Sequence, residues 1–135
     1  MAWFKTGGGA LSETILWTNP SPTSSFAAQD VTLSQPITDF TYIKIVCRFS
    51  TSNSTEMAAL FSPSDFGVQG TYPNKNPSVT MTVSSGAGGT VTRYCAKASS
   101  DDNSTIHFFS GSTTTTGSGS TKNGNTIPVA IYGLK

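Results

Sequence analysis

Between Thr41 and Phe49 the side chains alternate with a period of two: Ile43, Ile45, Cys47 and Phe49 share one face, and Tyr42, Lys44, Val46 and Arg48 share the other. That period belongs to a half-buried β-strand and is incompatible with the 3.6-residue repeat of an amphipathic helix. Ser78 to Ser84 repeats the pattern, with Val79, Met81 and Val83 set against Thr80 and Thr82. The glycines between Gly86 and Gly89 then predict a hairpin turn into a strand over Thr90 to Ala98.

Shorter strands are predicted over Glu13 to Trp17 and Phe26 to Leu33, stopped by the Asn19-Pro20-Ser21-Pro22 turn and by Pro36. Thr55 to Phe61 contains good helix formers but lies between Ser/Asn and Ser/Pro turns, so it too is predicted as a strand. Asn103 to Ser110 and Thr126 to Leu134 complete the set, separated by a Gly/Ser/Thr-rich stretch from Gly111 to Asn125 expected to be a mobile loop. About eight short strands and no convincing helix predict an all-β chain, a two-sheet antiparallel sandwich of jelly-roll type. The expected organisation is an N-terminal tag or attachment segment over residues 1–12, carrying Trp3 and Phe4 ahead of a glycine hinge, and one domain over 13–135.

Composition limits the partners. Charged residues make up 11% of the chain and the formal net charge is +1, which gives no footprint for nucleic acid or an anionic membrane. No apolar run reaches the length of a membrane span or of a secretory leader, so a soluble protein is expected. Cys47 and Cys95 fit one bridge in an oxidising compartment or two ordinary buried thiols.

The residue types that carry catalysis are sparse. His107 is the only histidine, no Gly-x-Ser-x-Gly turn is present, and the expected role of His107 is a strand side chain beside Phe108 and Phe109 rather than a base. Neither cysteine has a second cysteine nearby, so no metal site and no cofactor is expected. Asp101-Asp102-Asn103 lacks the spacing of a calcium loop and is expected to form a solvated turn. Asn53-Ser54-Thr55 and Asn103-Ser104-Thr105 match the glycosylation acceptor pattern, which arises by chance in a chain this rich in Ser and Thr. Arg93-Tyr94-Cys95-Ala96-Lys97 resembles the end of an immunoglobulin strand. No tryptophan lies between the cysteines, however, and the usual approach to the second cysteine is missing, so the match is read as chance.

What remains is a surface of aromatic and small polar groups: Tyr42, Phe66, Tyr72, Tyr94, Phe108 and Tyr132 among Ser, Thr, Asn and Gln. Saccharides suit such a surface, because a sugar ring stacks an apolar face on an aromatic ring and exchanges hydrogen bonds through its hydroxyls. Phe66, Tyr72 and Asn74 lie in the Pro/Gly-rich segment from Ser62 to Asn74 and are the predicted ligand-binding residues. Trp3 and Phe4 are the predicted attachment residues.

Two stretches carry a family resemblance. The opening Met1-Ala2-Trp3-Phe4-Lys5-Thr6-Gly7-Gly8-Gly9 resembles the start of small structural proteins of bacteriophages and prophages of Firmicutes. Leu16 to Val31, running on to Tyr42-Ile43-Lys44-Ile45, and the closing Ile127 to Lys135 are similar to β-rich modules at the ends of phage tail-fibre and minor virion proteins. The resemblance implies a virion structural protein, assembled in the host cytoplasm, homotrimeric and in contact with other capsid or tail proteins. Its expected function is tail-associated receptor binding to host-surface saccharide, without catalysis. No heptads or fibrous shaft accompany the body, so the alternative is a capsid decoration protein or head fibre held through the N-terminal segment.

Overall fold

The computed structural model describes residues 11–70, 76–82, 89–115 and 118–135. Among these, ten strands run in the order β1 (Glu13–Thr18), β2 (Gln29–Thr32), β3 (Tyr42–Ser50), β4 (Glu56–Phe61), β5 (Ser78–Thr82), β6 (Thr90–Ser99), β7 (Asp102–Phe108), β8 (Ser112–Thr115), β9 (Ser118–Thr121) and β10 (Asn125–Leu134). They form an antiparallel four-stranded sheet in the order β1-β10-β3-β4 and a six-stranded sheet in the order β2-β7-β6-β8-β9, with β5 also on β6. Both β5 and β8 pair with Thr90–Thr92, so they occupy opposite edges of β6. The chain is an all-β, two-sheet sandwich.

Alternation decides which side chains fill it. Ile43, Ile45 and Cys47 of β3 are fully buried, and their neighbours Tyr42, Lys44 and Val46 are half-exposed on the outer face. Facing them from the second sheet are Val79 and Met81 of β5, Val91 and Cys95 of β6, and Ile106 and Phe108 of β7. Cys47 and Cys95 are buried free thiols. The segment from Thr55 to Phe61 does form a strand, despite its helix-forming residues, because β3 supplies a paired edge along Ile43–Arg48.

The sequence-based expectation fails between Gly111 and Asn125. That stretch is not a loop throughout: β8 pairs with β6 and β9 pairs with β8, extending the six-stranded sheet. Threonine favours extended backbone through its branched Cβ, yet a strand of Ser and Thr has no apolar alternation to reveal it. The predicted strand over Phe26 to Leu33 shrinks to Gln29–Thr32, with Phe26 entering the core ahead of it.

Among the described residues, one buried side chain is charged. Arg93 of β6 lies on the inward face between Val91 and Cys95 and is 1% exposed. Its Nε donates to Thr126 O at 3.1 Å, its Nη1 to Phe26 O at 2.9 Å and Phe109 O at 2.8 Å, and its Nη2 to Asn123 O at 3.4 Å and Asn125 O at 3.1 Å. A guanidinium has five N–H donors, and here each finds a backbone carbonyl. The β1–β2, β7–β8 and β9–β10 connections are thereby tied to one point. Thr126, which holds an unusual φ of 48°, is among the residues so fixed.

Candidate functional site

The edges of the two sheets meet where β1, at one side of the four-stranded sheet, approaches β2, at one side of the six-stranded sheet. Ser34 N donates to Leu16 O at 2.9 Å and Ser34 Oγ donates to Ile15 O at 3.2 Å, closing this seam at one end. At the other end the chain leaves β1 through Asn19-Pro20 and returns through Ser25 and Phe26. Between them lies a groove of about 440 Å³ bounded by Trp17, the Asn19–Ser21 turn, Ser25, Phe26 and β2 from Gln29 to Thr32.

Each wall has a local cause. Trp17 is half-buried because its ring packs on Phe26, with centroids 6.1 Å apart, and on Phe108 at 5.9 Å. Phe26 meets Phe108 edge-on at 5.7 Å, and the Arg93 guanidinium lies 5.5 Å from the Phe26 ring centre. The turn is fixed by Asn19, whose Nδ2 donates to Pro128 O at 2.8 Å while its Oδ1 accepts the Ser21 N–H at 2.8 Å. Gln29 donates from Nε2 to Ala27 O at 3.1 Å, which holds its amide at the rim.

Asp30 contributes the only ionisable side chain among the lining residues. It stands opposite His107 in the β2–β7 register, and its Oδ1 lies 2.7 Å from His107 Nδ1. The His107 ring is itself braced edge-on by Phe109, with centroids 4.8 Å apart. His107 is therefore a strand side chain beside phenylalanine, as the sequence suggests, but its partner from 77 residues away was not visible in the spacing. Asp30 Oδ2 has no hydrogen bond among the described residues.

The sequence-predicted site does not coincide with this groove. Phe66, expected in a binding loop, is 6% exposed and packs edge-on against Phe61 at 5.9 Å. The preceding turn is held by the Ser62 N–H donating to Asp65 Oδ2 at 2.8 Å. Gly67 O and Gln69 N then bond to Lys97 on β6, so Phe66 is delivered inward and its ring is a core element. Tyr72 and Asn74, and the attachment residues Trp3 and Phe4, lie outside the described residues. Of the other aromatics, Phe108 is buried and Tyr94 is exposed, while Tyr132 is half-buried beneath Lys44 Nζ at 4.7 Å.

Asp102 behaves as a turn residue. Its Oδ2 accepts the Thr105 hydroxyl at 2.6 Å and its Oδ1 accepts the Ser104 N–H at 2.7 Å, and these bonds hold its carboxyl below the usual carboxylate range. Among the described residues no cluster of three or more His, Cys, Asp or Glu side chains could hold a metal ion.

No protein-family model and no curated protein matches the chain. The site therefore stands on its own chemistry: an aromatic wall, amide and hydroxyl groups on locked backbone, and one tethered carboxylate.

Proposed function

We propose that the chain is a saccharide-binding module of a virion surface, tail-associated and displayed as a homotrimer, with the Trp17 groove as its receptor site. The observation that carries the saccharide reading is the half-buried indole set into a groove that Pro20, Phe26 and Val31 line alongside the polar Asn19, Ser21, Ser25, Gln29, Asp30 and Thr32. A pyranose ring places its C–H face on the indole and directs its hydroxyls to the amide, hydroxyl and carboxylate groups around it. The virion setting is supported by the resemblance of the opening and closing segments to phage structural proteins.

The proposed mechanism requires no closure. Asn19 and Asp30 are each held by a hydrogen bond to another element, so the site is preorganised and little ordering opposes binding. A single shallow groove of this kind is weak, and trimeric display raises avidity by about 10²–10⁴ where three grooves meet one surface. Trp17→Ala should weaken binding to host-type saccharides by about 10- to 100-fold, from the lost stacking and apolar contact. Gln29→Ala, at an exposed residue, should weaken it several-fold without altering the melting temperature. Unchanged glycan binding in a folded Trp17→Ala protein would overturn the proposal.

A further inference from the structure

On the saccharide reading, on which this rests, we infer that the groove selects uncharged over anionic saccharides and that Asp30, tethered by His107, is the residue that decides it. The tether matters because it removes the carboxylate's freedom to turn away. Asp30 lines the groove and its Oδ1 is engaged at 2.7 Å by His107 Nδ1, which leaves Oδ2 as the carboxylate oxygen free to accept from a ligand hydroxyl. A carboxylate or phosphate brings no proton to Oδ2 at neutral pH and meets like charge instead.

The lining itself supplies no compensating cation. No lysine or arginine is among the lining residues. The closest cation recorded behind the wall is Arg93, against the Phe26 ring, and its five donors are all committed to the carbonyls of Phe26, Phe109, Asn123, Asn125 and Thr126. It therefore has no N–H to offer an incoming anion. The His107 side chain is 13% exposed and its Nδ1 is already used, so it reaches the ligand only through Asp30. Asp30 is a specificity residue and His107 its positioning residue.

The test is a glycan array pairing neutral oligosaccharides with their uronic-acid counterparts, probed with the full chain and with Asp30→Asn, His107→Ala and Trp17→Ala. For every neutral glycan bound, the wild type should prefer it at least tenfold over the acidic counterpart, and the preference should shrink as salt shortens the screening length. Asp30→Asn is isosteric at a half-exposed position, so it should fold normally and bring each pair to within about threefold, by the loss of one repulsive charge. His107→Ala keeps the charge but frees the carboxylate. It should weaken neutral binding several-fold while a preference for neutral glycans survives.

Equal wild-type binding of neutral and acidic partners, or a preference untouched by Asp30→Asn, would overturn the specificity role and leave the saccharide site standing. Binding of no glycan, or binding indifferent to Trp17→Ala, would overturn both.

Discussion

Arg93 shows how a charged side chain can be used as a structural hub. At 1% exposure and with no ion-pair partner among the described residues, its charge is spread over five backbone carbonyls, of which Asn123 O also accepts the Phe26 N–H at 2.9 Å. Burial pushes its pKa down to about 10, with the nearby Cys47 acting weakly in the other direction, and the group stays protonated at neutral pH. Arg93→Met should cost about 3–5 kcal/mol in urea unfolding, because five acceptors lose a donor, and Arg93→Lys should restore part of it.

The two thiols give a second residue-level expectation. Burial pushes the Cys47 thiol up to about 12, partly opposed by the Arg93 charge, and burial followed by the Cys47 neighbour raises Cys95 further. Unfolded thiols ionise near pH 8.5, so these groups contribute fully below that pH and lose their contribution as pH rises toward 12. By pH 10 the loss should be about 2 kcal/mol per thiol, read from urea midpoints at pH 7.5 and 10, and about half of the total should vanish in Cys47→Ala. Thiol reagent should react with two groups after unfolding and with neither in the native protein at neutral pH.

At the scale of elements, strands that alternate apolar and polar side chains were legible, as were β1 and β4 from the turns that bound them, whereas strands built of Ser and Thr were not. β3, β5 and β6 follow from Ile43, Ile45, Cys47, Val79, Met81 and Val91. β8 and β9 were hidden because Ser and Thr give no two-residue apolar signal. The same rule held a clue to Arg93, which sits at the inward position between Val91 and Cys95, although arginine is rarely assigned to a core.

The candidate site was poorly legible for a related reason. Loop composition pointed to Phe66, Tyr72 and Asn74, yet the Ser62–Asp65 turn sends Phe66 inward, while Trp17, Gln29 and Asp30 meet only because two sheet edges converge. The available hint was Trp17 itself, a large amphipathic ring at the end of a strand next to the Asn19-Pro20 turn. Connections between elements are also where glycine is required. A Cβ on Gly111 would fall 2.5 Å from Lys122 O, 2.8 Å from Asn125 O and 2.8 Å from Arg93 Nη2. Relief would mean moving Lys122 O and disturbing the Arg93 Nη2–Asn125 O bond, so Gly111→Ala should cost about 2–3 kcal/mol by thermal or urea unfolding. Gly124→Ala, whose Cβ would meet nothing closer than 3.6 Å, is the matched control and should leave stability within about 0.5 kcal/mol.

For the whole molecule, the sandwich provides a rigid body on which a groove at the seam can stay open without ligand. Its aromatic floor of Trp17, Phe26 and Phe108 joins the first sheet to the second, and Arg93 ties Phe26 to two further connections, β7–β8 and β9–β10. The proposed recognition thus rests on long-range contacts rather than on a flexible loop, an arrangement that limits the entropy lost on binding. The most direct test of the groove is a two-dimensional amide and indole NMR titration of the full chain with neutral oligosaccharides bound on the array. Shifts should concentrate on the Trp17 indole N–H and on the amides from Asn19 to Ser21 and from Gln29 to Thr32. Perturbation confined to another part of the sandwich, with the Trp17 indole unmoved at saturation, would contradict the account.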